Sequence, residues 1–114
     1  MRIESPVKRF PGYVILPEYL TVPQVRAITT ALGDPIKTDE GDKYQALTFA
    51  VKTDEIRLPA VIACISEWHL AGIPEHPALD NFPMSPMSSV HKLLDVLLAE
   101  IIKLWQGEDD LPNV

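Results

Sequence analysis

The sequence predicts an α+β fold, mainly α: a short N-terminal β-hairpin packed on a small helical core of three to four helices. Three observations lead there. Tyr13, Val14, Ile15 and Leu16 are strand formers bracketed by Pro11-Gly12 and Pro17. Apolar residues recur at helical spacing over 58–71 and again over 86–106. Glycines and prolines fall at the borders of these runs, where they punctuate a chain that holds eleven prolines. The 114 residues, 46% hydrophobic, suit a single domain with a modest core. It divides into a hairpin at 1–20, a helical core at 21–106 and an acidic tail at 107–114.

Taken in order, Arg2, Ile3 and Glu4 can pair with the Tyr13 run across a loop at 6–12, with Lys8 and Arg9 at its tip. A hairpin this short is marginal alone and must lean on helices. Thr21-Val22-Pro23-Gln24 has capping-box spacing: the Thr21 hydroxyl can accept from the Gln24 amide, and the Gln24 side chain can reach back. A helix follows over 21–32, stopped by Gly33, with a narrow seam of Val25, Ile28 and Leu32. Residues 34–42 are polar and turn-rich and read as a loop. Over 43–53 the periodicity fits both a strand and a helix; with no pairing partner visible beyond the hairpin, helix is preferred.

Leu58-Pro59 opens a helix over 58–71, ended by Gly72 and Pro74. Leu58, Val61, Ile62, Ile65 and Trp68 form its broad face, and Ala60, Ala63, Cys64 and Ala71 make the other side small. A helix apolar nearly all round is buried, so this one belongs at the centre. Residues 72–85 carry no periodicity and form an ordered crossover that Phe82 can pin to the core. Ser85 as N-cap and Pro86 in the first turn start the last helix, over 86–106, and Gly107 stops it. Its apolar residues, from Met87 and Val90 to Leu104 and Trp105, fill about half the helical wheel. That arc is wider than one small domain covers, which predicts self-association or a groove for a client. Val61, Ile65, Trp68, Leu94, Leu97 and Ile101 are the expected contacts between the two strong helices.

The net charge is −6. Residues 1–57 hold eight basic and eight acidic residues; residues 58–114 hold two basic and eight acidic, 2 − 8 = −6, and so carry all of it. This argues against a direct nucleic-acid or anionic-membrane binder. Its plainer meaning is a solvated acidic surface; its sharper one is an acidic face for a basic partner. One cysteine allows no internal disulfide, no signal-peptide core precedes the hairpin, and no apolar run approaches the roughly 18 residues of a membrane span. A soluble, cytoplasmic-type protein is expected.

Catalytic constellations are hard to assemble. On one helix Cys64 and His69 would point about 140° apart, and a cysteine among alanine and isoleucine has nothing to lower its pKa. His69, His76 and His91 lack paired metal-ligand spacing. Glu67 and Glu100 have no predicted meeting point, and there is no glycine-rich phosphate loop, GxSxG or CxxC. We expect no enzyme, no catalytic or metal-binding residue and no cofactor. Trp68 with His69, and Leu104 with Trp105, are candidate partner-binding residues, because tryptophan often anchors interfaces; core packing is the plainer role of both tryptophans. Glu108, Asp109 and Asp110 are either a solvated tail or a recognition segment for a basic surface.

Several features together resemble the small tail-assembly chaperones of tailed phages. They are the extended start PGYVILPEYLTVPQV, the Leu58-Pro59 segment carrying Cys64, Glu67, Trp68 and His69, and the FP-x-SP approach of Phe82, Pro83, Ser85 and Pro86. The amphipathic last helix and the Leu111-Pro112-Asn113 ending complete it. The resemblance implies a non-enzymatic phage or prophage protein, in the host cytoplasm, that keeps the tape-measure protein soluble during tail assembly. Two other classes fit the same composition: an acidic inhibitor or adaptor on a basic, nucleic-acid-binding partner, and a small structural virion protein. Carboxylates spread over one exposed face would mark the inhibitor; an apolar groove rimmed by charge would mark the chaperone.

Overall fold

A computed structural model describes the backbone of residues 1–33 and 43–107 and the side chains of residues 1–31 and 54–107. The elements run β1 (Arg2–Glu4), β2 (Gly12–Ile15), α1 (Val22–Gly33), α2 (Lys43–Cys64), β3 (Glu67–Leu70) and α3 (Met87–Gln106). Among the described residues the fold is α+β and mainly α, with the expected hairpin and three helices. The sheet has one strand more than the hairpin: β1, β2 and β3 lie side by side in sequence order, antiparallel throughout.

Ile3, Val14, Trp68 and Leu70 face the helices; Arg2, Glu4, Tyr13, Ile15, Glu67 and His69 face out, as strand alternation requires. Gly12 lies opposite Leu70 with φ at +130°. A Cβ there would stand 1.9 Å from the His69 carbonyl oxygen, so only glycine lets β3 come this close. The loop between β1 and β2 buries Phe10, while Lys8 and Arg9 at its tip are exposed.

At the start of α1 half of the expected capping box forms. The Thr21 N–H donates to Gln24 Oε1 at 2.8 Å, but the Thr21 hydroxyl donates to that same oxygen rather than accepting from the Gln24 amide. The other end of the Gln24 carboxamide donates to the Ala63 carbonyl at 2.9 Å, which ties the first turn of α1 to the last turn of α2. Ile28 is the buried member of the α1 seam and Val25 is half-buried; the Leu32 side chain lies outside the described residues. The loop expected at 34–42 and the tail at 108–114 also lie outside them.

Residues 43–53 are helical, as preferred, but they belong to a longer element. α2 runs unbroken to Cys64 and carries Pro59 inside it. Pro59 removes the partner of the Glu55 carbonyl; both residues are exposed, so water can replace it. The helix expected over 58–71 is therefore corrected: its first half is the end of α2 and its second half is β3. The Ser66 N–H donates to Ile15 O at 2.8 Å, so the chain leaves the helix to pair with β2.

α3 begins one residue late. Pro86, not Ser85, occupies the cap position, with extended ψ of 139° and no side-chain cap. At the other end Gly107 adopts the left-handed conformation, and its N–H closes on Lys103 O at 2.9 Å. Val90, Leu93, Leu94, Leu97, Leu98 and Ile101 are buried against the core shared with Leu58, Ala60 and Val61 of α2. Ile65 and Trp68, expected on a facing helix, reach this core from the connector and from β3. Phe82 anchors the crossover by meeting the Trp68 ring edge-on, with centroids 5.7 Å apart.

Candidate functional site

Two polar clusters stand out against this core. The first lies on the outer face of the sheet. Pairing of Glu4 with Tyr13 and of Tyr13 with His69 sets outward side chains in rows. The Arg2 guanidinium sits 3.7 Å from the Tyr13 ring centroid, and the Tyr13 and His69 rings lie 4.8 Å apart. His69 Nε2 is 3.2 Å from Glu67 Oε1, and Arg2 Nε donates to Glu4 at 2.6 Å. Beside β3 opens a cleft of about 150 Å³ lined by Ser66, Glu67, Trp68, His69, Glu75 and His76. The crossover brings Glu75 and His76 to the strand, so two carboxylates and two imidazoles share a short trough.

The second cluster joins α2 to α3. Asp54 is buried at 1% exposure, and its Oδ1 is 2.9 Å from His91 Nδ1. Arg57 donates to Asp95 at 3.1 Å one turn further along. Burial pushes the Asp54 carboxyl above its ordinary value of 3.8; the hydrogen bond to His91 and the charges of His91 and Arg57 pull back, while Asp95 adds to the rise. An imidazole held by a buried carboxylate is half of an acid–base arrangement, but a nucleophile must complete it. Among the described residues no hydroxyl or thiol hydrogen-bonds to His91. Cys64 is fully buried at the end of α2, its thiol is pushed up to about 11 by burial, and its Sγ lies 3.7 Å from Gln24 O. Among the described residues no group of three or more histidine, cysteine, aspartate or glutamate side chains is placed to hold a metal ion.

The residues singled out for partner binding separate into distinct places. Trp68 and His69 are on a strand, not on one helix with Cys64, and strand alternation sends them to opposite faces. Trp68 is 4% exposed and belongs to the core; His69 is exposed. Leu104 and Trp105 lie in the last turn of α3, Leu104 half-buried and Trp105 exposed at 39%. No hydrogen bond or ring contact among the described residues joins these two pairs. Glu108, Asp109 and Asp110 lie outside the described residues. The Asp54–His91 bond escaped the sequence reading, because 37 residues separate the partners and no local pattern links them. Among the described residues no helix is long and apolar enough to cross a membrane. No protein-family model matches the chain, and neither a curated protein nor a solved structure matches it.

Proposed function

We propose that this chain is a protein-binding module without catalysis, a phage or prophage protein that docks a helical client such as the tape-measure protein during tail assembly. One observation carries the reading. On a helix whose other large apolar side chains are buried or half-buried, Trp105 is 39% exposed, one turn beyond half-buried Ile102 and beside Leu104. An apolar helix end with i, i+3 spacing fits an amphipathic client helix laid across it. The charge suits a soluble carrier: over 58–107, Lys92 and Lys103 stand against Glu67, Glu75, Asp80, Asp95 and Glu100, 2 − 5 = −3. The buried Cys64 thiol, pushed up to about 11, suits packing rather than nucleophilic chemistry.

The test is co-expression of the tagged chain with the genes that flank its own, in wild-type form and as Trp105→Ala, followed by mass spectrometry of what is retained. A long helical structural protein held by the wild type and lost from the variant is the expected result. Equal retention by both would place docking elsewhere on the molecule.

A further inference from the structure

The bonding pattern of the sheet turns two backbone positions of β3 outward, Trp68 and Leu70, and the Leu70 C=O accepts from the Ile73 N–H at 3.2 Å. Leu16 N–H donates to Met1 O and Ser5 N–H donates to Gly12 O, so Gly12, Val14 and Leu16 direct their backbone groups to β1. Tyr13 and Ile15, which alternate with them, therefore face β3, where their partners are His69 and Glu67. Ala71 N–H to Pro11 O continues the same phase. Trp68 lies between Glu67 and His69, so its N–H and C=O point away from β2. β3 is an edge strand, and no backbone hydrogen bond from outside the sheet reaches Trp68 among the described residues. The cleft of about 150 Å³ is lined by Ser66 and by Glu67, Trp68 and His69 of this strand together with Glu75 and His76. At about 30 Å³ per water it has room for roughly five waters, or for one extended residue with its side chain.

We infer that this edge is a second docking site, which takes an extended, lysine- or arginine-bearing segment of a partner protein as an added strand beside β3. Unpaired edge groups bind extended peptide through main-chain hydrogen bonds, and the flanking side chains select its sequence. Here the flanking acids are Glu75 and Glu67, the latter 3.2 Å from His69 Nε2, both exposed in a cleft with no lysine or arginine in its lining among the described residues, so a basic side chain is favoured. The same charges disfavour a second copy of this chain, since two β3 edges would set like carboxylates together. The inference stands on the sheet and its cleft and does not depend on docking at α3.

The test uses the full chain, labelled with 15N and titrated with a blocked hexapeptide of alternating threonine and lysine. Its threonine–glutamate counterpart and a copy N-methylated at the positions that would bond β3 serve as comparisons. Amide signals of residues 66–69 should move, and exchange of the Trp68 N–H should slow, with the lysine peptide only. N-methylation should weaken binding at least tenfold, and Glu67→Gln combined with Glu75→Gln roughly fivefold to tenfold, as two exposed charge pairs allow. Because both glutamates are exposed, the double variant should keep its melting temperature; the N-methylated peptide tests the backbone bonds with the protein untouched. No response at millimolar peptide, an equal response to the glutamate peptide, shifts centred away from residues 66–69 and 75–76, or a dimer that blocks the peptide would each overturn the inference.

Discussion

His91 Nδ1 stands 2.9 Å from Asp54 Oδ1, and this bond fastens α3 to α2 at a carboxylate only 1% exposed. The groups that face the carboxylate there are His91 and Asp95 from α3 and Arg57 from its own helix. Because burial raises the Asp54 pKa, the folded chain holds that proton to a higher pH than the unfolded chain does. The resulting stabilisation is fully present below 3.8, the ordinary value, and is lost as pH rises through the folded-state value. Asp54→Asn removes this titration. The stability of the wild type relative to the variant should therefore fall as pH rises through the acid range, read by denaturation at stepped pH; a flat difference would refute the account. His91→Ala, which strips the buried carboxylate of its partner, should cost about 1–3 kcal/mol near neutrality.

Gly12 joins a left-sided backbone to a strand too close for any Cβ. Gly12→Ala should lose about 2–3 kcal/mol or more, from strain together with a forced separation of β2 and β3. Amide exchange should quicken first at residues 67–70. A variant as stable as the wild type, with unchanged strand protection, would mean that the strands do not meet at this distance.

Gln24 bonds backbone at both ends of its carboxamide, to the Thr21 N–H and to the Ala63 carbonyl. Gln24→Ala should cost about 1–2 kcal/mol, combining a lost N-terminal cap with a lost tertiary bond. Gln24→Glu can accept from Thr21 but cannot donate to Ala63. It should recover only part of the loss in thermal melts.

These contacts show which parts of the fold were legible in the sequence. α1 and α3 announce themselves because local signals agree with the tertiary outcome: Thr21 with Gln24 at one start, Gly107 at one end, and a sustained apolar seam in α3. The hairpin was legible from Pro11-Gly12 for the same reason. β3 was not, because Leu58, Val61, Ile65 and Trp68 continue a helical spacing that the chain abandons after Cys64. Pairing with β2 overrides that local preference, as the Ser66–Ile15 bond records. The alternation Glu67-Trp68-His69-Leu70 was the available sign, but four residues carry little periodic weight. The cleft beside β3 followed the same fate, since reading 58–71 as a helix placed His69 near a helix end instead of on an outer sheet face. The Asp54–His91 pair is a purely tertiary contact, which no window of local sequence contains.

Leu97 is 1% exposed in the middle of the α3 seam, in the core that α3 shares with α2. Leu97→Ala should cost about 2–5 kcal/mol, the spread reflecting how far the surrounding side chains can close the cavity. An unchanged denaturation midpoint would mean that α3 is not packed along this seam.

Trp105 separates folding from binding. Its side chain is 39% exposed near the end of α3, and the Gly107 N–H closes the helix on Lys103 without it. Trp105→Ala should therefore change stability by no more than about 1 kcal/mol. If α3 docks an apolar client helix, the same substitution should abolish binding, because a partly exposed tryptophan at an interface loses its remaining surface to the partner. Salt then distinguishes the client reading from an acidic inhibitor on a basic surface. Exposed charges act over about 8–10 Å at physiological salt, so a buried apolar contact with acidic surroundings should weaken by less than about tenfold between low and high salt. Carboxylates standing in for phosphates would instead lose on the order of a hundredfold or more, as several displaced counterions require. The measurement is a salt series of binding isotherms on the recovered client, for wild type and Trp105→Ala. A steep salt dependence with the variant still binding would exclude docking at α3 and favour the acidic inhibitor.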